Sequence, residues 1–270
     1  MLVLQSLRKI FNPNTPYEKV AIDRIDLEVK HGEFVTVIGS NGAGKTSLLN
    51  LIAGTLLPDE GRILIDGQDV TTVPEHRRAG YLGRIFQNPL MGTASSMTIE
   101  ENLAMAELRG RRRGLAWGVT RRQREQYRNL LKPLDLGLET RLRDRVSLLS
   151  GGERQCLTLL MATLSLPKLL LLDEPTAALD PRTAEKVARL TDRIAREHHL
   201  TTIMVTHNMA QAIEMGDRMI MLHEGKIQFD IRGEEKRNLT VEAVVKRFGE
   251  KIVFEDETLL CAPVGGQRSN

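Results

Sequence analysis

Residues 33–46, which read EFVTVIGSNGAGKT, decide the fold of this chain. The largely apolar, β-branched run at 33–38 is typical of a buried strand, and it stops at a glycine-rich turn. Residues 45–53 follow, with two leucines and an isoleucine on one face at helical spacing. The stretch therefore predicts a strand, a tight turn and a helix in succession, as in α/β proteins.

The turn in this stretch fits the pattern G-x-x-x-x-G-K-[ST] in its required place between a strand and a helix. Its glycines allow successive backbone N–H groups to wrap phosphate oxygens, and the helix start directs its positive end toward them. We expect Lys45 to meet the β- and γ-phosphates of a nucleotide and the Thr46 hydroxyl to face Mg²⁺. A plain glycine-rich turn is the alternative. The expected nucleotide contacts here are Gly39, Ser40, Asn41, Gly42, Ala43, Gly44, Lys45, Thr46 and Ser47.

Two carboxylates follow a second apolar run, the four leucines at 169–172. Asp173 is suited to directing Mg²⁺, and Glu174 is suited to polarising an attacking water molecule. Successive strand residues point to opposite faces, but where the strand ends the second carboxylate can turn toward the same site. An acidic strand end before an ordinary turn is the alternative interpretation.

Residues 149–153, LSGGE, carry a second glycine pair. Ser150 and Glu153 match the S-x-x-E capping box, which by itself explains a helix start. Two glycines in a first turn cost roughly 1 kcal/mol each relative to alanine, and a cap does not require them. We therefore expect another group to approach the backbone of Gly151 and Gly152 closely. Free N–H groups at such a helix start form a second phosphate-binding surface.

The rest of the chain alternates strands with helices, which indicates an α/β fold with crossovers. Residues 201–205 resemble another buried strand, and Asp180 with Pro181 predicts the start of a helix. Two portions break the alternation: 61–67 predicts a half-exposed antiparallel strand, and 98–149 looks helical and rich in arginine. From Gly249 onward we expect the chain to fray.

Composition excludes several classes of protein. The chain has 270 residues, 41% of them hydrophobic and 27% charged, and it has no apolar run of membrane-spanning length. A net charge of +3 does not by itself support nucleic-acid binding, and we expect none. Cys156 and Cys261 lie far apart in a chain whose start does not match an export signal, so we expect no disulfide and a cytosolic protein.

Taken together, these motifs resemble those of the ATP-binding subunits of ABC (ATP-binding cassette) transporters. The phosphate loop, LSGGE as signature, LLLLDEP, Ala178-Leu179-Asp180 as D-loop and Val205-Thr206-His207 occur in the family's order, and Gln87 stands where its Q-loop glutamine lies. The resemblance implies a P-loop NTPase (RecA-like) core with an antiparallel β subdomain and an inserted helical subdomain at about 94–159. The ATPase domain then spans 1–248, with a short extension at 249–270. Glu153 replaces the family's more usual glutamine, and Ser40 a frequent proline.

The resemblance also implies roles for single residues. Glu174 orients water for attack on ATP, while His207 and Gln87 sense the γ-phosphate and the metal. Thr46, Gln87 and Asp173 are the expected Mg²⁺ ligands. Ser150, Gly151 and Gly152 are expected to contact the γ-phosphate held by a second copy, so the active enzyme is a head-to-tail homodimer. Tyr17 is the expected aromatic on adenine, Phe11 is its rival, and a core role for either stays open.

As partners the resemblance implies an integral membrane permease and, through it, an extracytoplasmic solute-binding protein. The chain would then lie on the cytoplasmic face of the inner membrane and power uptake of an amino acid or similar solute. Residues 88–92 are the candidate permease contact, although Leu90 and Met91 are equally suited to burial within the domain. A soluble ABC ATPase acting as an assembly or repair clamp is the rival function. The basic cluster at 109–124 is either a solvated helical face or a contact with anionic lipid.

Overall fold

The computed structural model describes residues 1–110, 118–177 and 179–248. Its strands are β1 (Leu2–Phe11), β2 (Lys19–Val29), β3 (Phe34–Ile38), β4 (Glu60–Ile65), β5 (Gln68–Asp69), β6 (Leu82–Ile85), β7 (Leu169–Asp173), β8 (Thr201–Val205), β9 (Arg218–His223) and β10 (Lys226–Arg232). Its α-helices are α1 (Lys45–Ala53), α2 (Glu75–Arg78), α3 (Ile99–Glu107), α4 (Arg121–Leu131), α5 (Gly151–Thr163), α6 (Pro181–Glu197), α7 (Met209–Glu214), α8 (Glu234–Arg237) and α9 (Val241–Phe248). None of the described helices combines the length and apolar character needed to cross a bilayer.

The central sheet has the strand order β10-β9-β3-β8-β7-β6. Strands β6, β7, β8, β3 and β9 run parallel, and β10 pairs antiparallel at one edge. Every residue of β3, β7 and β8 is buried, as expected for continuous apolar runs covered on both faces. The predicted strands at 33–38, 169–172 and 201–205 are confirmed, the first of them beginning one residue later than predicted. Their carboxyl ends meet at one edge of the sheet.

A second, antiparallel sheet has the order β2-β1-β4-β5. In β4, Ile63 and Ile65 are buried while their neighbours are more exposed, which confirms the half-exposed strand predicted at 61–67. Apolar side chains of this sheet share one hydrophobic cluster with α1 and the inner strands of the central sheet, through residues such as Leu4, Leu49 and Val37. This packing holds α1, the helix after the phosphate loop, between the two sheets.

The region at 98–149 is less helical than predicted. It contains α3 and α4, each begun by a complete capping box, at Thr98 and Thr120 respectively. Beyond α4 the chain forms 3₁₀ turns at Lys132–Leu134, Leu138–Thr140 and Val146–Leu148. Pro133 and two left-handed residues, Asp135 (φ 52°) and Gly137 (φ 69°), account for this change because none of them continues an α-helix easily. Residues 111–117 and the extension at 249–270, including Cys261, lie outside the described residues.

Arg78, at the end of α2, is a fully buried cation. Its guanidinium donates hydrogen bonds only to backbone carbonyls: those of Leu51 and Ile52 in the last turn of α1, and those of Val70, Thr71 and Val73. Burial lowers the pKa of Arg78 from its usual value. A positive charge at the carboxyl end of α1 complements the helix dipole and satisfies carbonyls that have no partner within the helix.

We expect Arg78→Met to lower the free energy of unfolding by roughly 3 kcal/mol or more, because several buried carbonyls lose their donor at once. Urea denaturation measures the change. Arg77→Met is the matched control, since Arg77 is the exposed neighbour in the same helix, and it should shift stability by less than about 0.5 kcal/mol. Equal stability of the two variants would contradict the role of Arg78.

Candidate active site

The phosphate loop joins β3 to α1, and its glycines are required by geometry. Gly44 has φ 103°, and a Cβ there would lie 2.3 Å from the Ala21 carbonyl oxygen. A Cβ at Gly39 would lie 2.3 Å from the Leu222 carbonyl oxygen. Only glycine satisfies both the backbone angle and the close approach at these positions. The loop is therefore packed against neighbouring strands while it leads into the amino end of α1.

Two side chains of the loop face the end of β7. The Lys45 ammonium is buried and donates to the carbonyls of Gly39 (2.7 Å) and Ser40 (3.1 Å), so it lies across the loop. The Thr46 hydroxyl lies 3.5 Å from Asp173 Oδ1. Burial, with a smaller contribution from Glu174, raises the pKa of Asp173 above its usual value. The structure thus brings the predicted Thr46 and Asp173 together.

Glu174 lies just past β7 with φ 46°, a left-handed conformation that turns its carboxylate toward the same edge as Asp173. Its Oε2 accepts a hydrogen bond from Gln87 Nε2 at 3.1 Å and lies 3.1 Å from His207 Nδ1. The hydrogen bond with His207 lowers the pKa of Glu174 in spite of partial burial. Gln87 and His207, from distant parts of the sequence, therefore both contact the ionised carboxylate of Glu174.

A cavity of about 310 Å³ opens beside the loop, and its lining includes Phe11, Lys19, Gly42, Lys45, Gln87 and Glu174. Tyr17 does not line it and is 81% exposed, so a core role for Tyr17 is wrong. Phe11 is half-buried and faces the cavity. The motifs in the sequence did not indicate that Lys19 also lines this cavity. The available signal was its place at the start of a strand directly after the loop that holds Tyr17.

The helix start at 150–152 has a complete capping box. Ser150 Oγ accepts the Glu153 N–H (3.2 Å), and Glu153 Oε2 accepts the Ser150 N–H (2.7 Å). A Cβ at Gly152 would lie 2.1 Å from Thr183 Cγ2, so the group expected near the backbone at Gly152 is α6 of the same chain. At Gly151 the nearest atom would be 3.8 Å away, and this residue is exposed. None of these residues lines the described cavity of its own chain.

The candidate permease contact and the described part of the basic cluster differ in their exposure. Leu90 and Met91 are 51% and 68% exposed, so their burial within the domain is wrong. Arg121 and Arg122 are exposed, but Arg124 pairs with Glu100 (2.6 Å) and Arg109 is half-buried, so the basic cluster is not one uniform solvated face. Arg111, Arg112, Arg113 and Ala178 lie outside the described residues. Among those described, no group of His, Cys, Asp and Glu residues has metal-binding geometry.

Fold and site together define a P-loop nucleoside-triphosphatase with an antiparallel sheet beside its core. The sequence model of the ABC transporter family matches residues 22–177. A tyrosine transport ATP-binding protein of Clostridioides difficile strain R20291 is 44% identical over 92% of this chain and 98% of its own length. The chain belongs to the ABC transporter family as an ATP-hydrolysing, ATP-binding subunit, which confirms the predicted fold class.

Other relatives extend the comparison. The sulfate/thiosulfate import ATP-binding protein CysA of Mycobacterium tuberculosis strain H37Rv is 38% identical over 77% of this chain, which spans 56% of that longer protein. The ATP-binding cassette MJ0796, solved as a dimer in a post-hydrolysis state bound to ADP and Pi, superposes with a TM-score of 0.74 at 27% identity. That match covers 86% of this chain and 98% of MJ0796.

We expect Gly152→Ala to destabilise the protein by roughly 1–3 kcal/mol, because the new methyl group must displace Thr183 and push α5 away from α6. Thermal unfolding measures the loss. Adding Thr183→Ser removes the clashing methyl group and should recover most of the stability. Gly151→Ala is the control, since its methyl group meets ordinary contact distances. If Gly152→Ala matches Gly151→Ala in stability, the packing explanation of Gly152 fails.

Proposed function

We propose that this chain binds ATP with Mg²⁺ at the phosphate loop and hydrolyses it to drive import of an amino acid through a separate membrane permease. The observation that carries the proposal is the meeting of Glu174, His207 and Gln87 beside the Thr46–Asp173 pair. This arrangement lies beside the phosphate loop and supports a role for the ionised Glu174 carboxylate in orienting water toward a terminal phosphate.

The nucleotide would lie along the cavity. Backbone N–H groups of residues 39–47 would wrap its phosphates, with Lys45 leaving its carbonyl partners to meet the β- and γ-oxygens. Of the two candidate aromatic residues, Phe11 has the better position for adenine, because its ring lines the cavity. Tyr17 stands on the exposed loop between β1 and β2 and would need that loop to fold inward.

Mg²⁺ fits the donors at the sheet edge. The Thr46 hydroxyl and the Asp173 carboxylate offer the hard oxygen ligands that this ion prefers, and Gln87 provides an amide oxygen nearby. The raised pKa of Asp173 means that the buried carboxylate lacks enough positive charge around it, which a divalent cation would supply. When bound, Mg²⁺ neutralises charge that develops on the phosphate oxygens.

Hydrolysis then depends on protein groups around Glu174. Its carboxylate, kept ionised by His207, accepts a proton from the attacking water and orients that water for in-line attack. His207 and Gln87 contact the same oxygen, so loss of the γ-phosphate changes the environment of both. Gln87 directly precedes the 88–92 segment, so a displacement of Gln87 on hydrolysis would be transmitted to the proposed permease contact.

The homodimer follows from the exposed helix start at 150–152. Gly151 leaves the amino end of α5 open, and its N–H groups would bind the γ-phosphate held by the partner copy. The dimeric state of the related cassette MJ0796 supports this arrangement.

We take residues 1–248 as the ATPase domain, with a helical subdomain at about 94–159 and an extension at 249–270.

The transported solute is an amino acid in this proposal, which the 44% identity to a tyrosine transport ATP-binding protein supports. The permease would contact residues 88–92, where Leu90 and Met91 are exposed, and an extracytoplasmic binding protein would deliver the solute. The chain would then lie on the cytoplasmic face of the inner membrane, held there by the permease.

Glu174→Gln should bind ATP and accumulate as a dimer, but its turnover should fall by roughly 10²–10⁴-fold because the water loses its base. Nucleotide titration, size-exclusion chromatography and phosphate release measure the three properties. Glu125→Gln, at an exposed position on α4, is the matched control and should behave as the parent chain. An unchanged ATPase rate in Glu174→Gln would remove Glu174 from this role.

Mild-detergent extraction of the tagged chain from its own cells should bring down an integral membrane protein, and deleting the gene should reduce uptake of labelled tyrosine or another amino acid. Met91→Asp should abolish capture of the membrane protein, because a charge enters the apolar contact. Leu57→Asp, which changes an exposed apolar residue outside the 88–92 segment, should retain the capture. Absence of any membrane partner together with normal uptake would instead favour the soluble clamp.

A further inference from the structure

Lys19 and Phe11 stand side by side at the entrance of the cavity. Phe11 ends β1, Lys19 begins β2, and the two residues are direct partners in the antiparallel ladder. Directly paired residues project from the same face of a sheet, with their Cβ atoms roughly 4.5–5.5 Å apart. Both side chains line the cavity beside the phosphate loop. One short pair of strands therefore presents an aromatic ring and a cation to the same space.

The Lys19 ammonium reaches the phosphate loop itself. A Cβ built on Gly42 would lie 3.1 Å from Lys19 Nζ, so the ammonium rests against the backbone of the loop at this glycine. Gly42 is exposed, has φ 78° and also lines the cavity. A larger residue at Gly42 would push the ammonium away from the loop. The strand pair and the loop thus bring two distant parts of the sequence together around one cation.

The chemistry of this position favours an anionic ligand. Within the part of the chain that the structure describes, the Lys19 ammonium has no hydrogen-bond or ion-pair partner, although it offers three donors. Its nearest cationic neighbour along the loop, Lys45, instead donates to the Gly39 and Ser40 carbonyls. An ammonium at the rim of a phosphate loop, beside a ring suited to a base, matches a polyphosphate attached to a nucleoside.

We propose that Lys19 is a second cation that binds the phosphate chain of the nucleotide, while Phe11 on the same face contacts its base. This inference rests on the proposed ATP site and adds a residue outside its motifs. Lys19 is exposed and is not among the hydrogen-bond partners of Glu174, which are Gln87 and His207, so we expect its contact with the phosphates to be the same before and during phosphate transfer. Such uniform binding lowers KM and leaves kcat unchanged.

The test compares Lys19→Ala, Lys19→Arg and the control Lys30→Ala, which removes an exposed lysine just past the other end of β2. We expect Lys19→Ala to raise KM for ATP and the Kd of ATP about tenfold, as for loss of one charge-assisted hydrogen bond, with kcat within twofold. The increase should shrink at high salt, because the site is open to solvent. Lys19→Arg should restore most of the affinity, and Lys30→Ala should match the parent chain.

The possible failures are distinguishable. If the parent chain neither binds nor hydrolyses ATP, the proposed function fails and the role of Lys19 fails with it. If the parent chain does both and Lys19→Ala has the same KM and Kd, the inference alone is overturned. If Lys19→Ala loses affinity together with kcat and thermal stability, and Lys19→Arg does not rescue it, the lysine supports the fold and the inference is again overturned.

Discussion

Parallel pairing of three buried strands is the constraint on which the site depends. In the register of the sheet, Val37 of β3 and Asp173 of β7 both pair with Val205 of β8, which lies between them. The residues that follow these positions are the phosphate loop, Glu174 and His207, so they emerge at one edge. A slip of one residue in β7 would turn Asp173 to the opposite face. The pairing register of β7 with β8 therefore decides on which face of the sheet edge the carboxylate lies.

The two adjacent carboxylates at this edge have opposite electrostatic environments. Burial raises the pKa of Asp173, whereas the hydrogen bond with His207 lowers the pKa of Glu174. Neighbouring acids whose pKa values are pushed apart suit different tasks. In the proposed mechanism, Asp173 receives the cation and Glu174 stays ionised to orient the attacking water. The left-handed backbone at Glu174 makes this division possible, because it brings both groups to the same side of the strand.

Packing between α5 and α6 links the signature to the D-loop. Gly152 allows Thr183 of α6 to touch the first turn of α5, and Leu179 lies 3.8 Å from the position of a Cβ on Gly151. The exposed helix start and the residues before α6 are therefore neighbours within one chain. Gly152 allows the contact with Thr183 inside the chain, and Gly151 leaves the surface of the helix start exposed. A partner that touches the signature would also meet the residues around Leu179.

The sequence by itself determined the elements that depend on short-range periodicity and backbone sterics. These include the strand, turn and helix at 34–53, the helix caps at Ser150 and Asp180, and the place of two carboxylates at a strand end. It overestimated helix in 98–149, because the apolar pattern continues through turns that Pro133 and its neighbours impose.

Only the tertiary structure decided which distant residues meet. Phe11 rather than Tyr17 lines the cavity, Thr183 is the group against Gly152, and Lys19 lies beside Gly42. These facts depend on the pairing of β1 with β2 and on the packing of helices that are separated in the sequence. Local patterns carry no information about such distances, because folding sets them through contacts between remote segments.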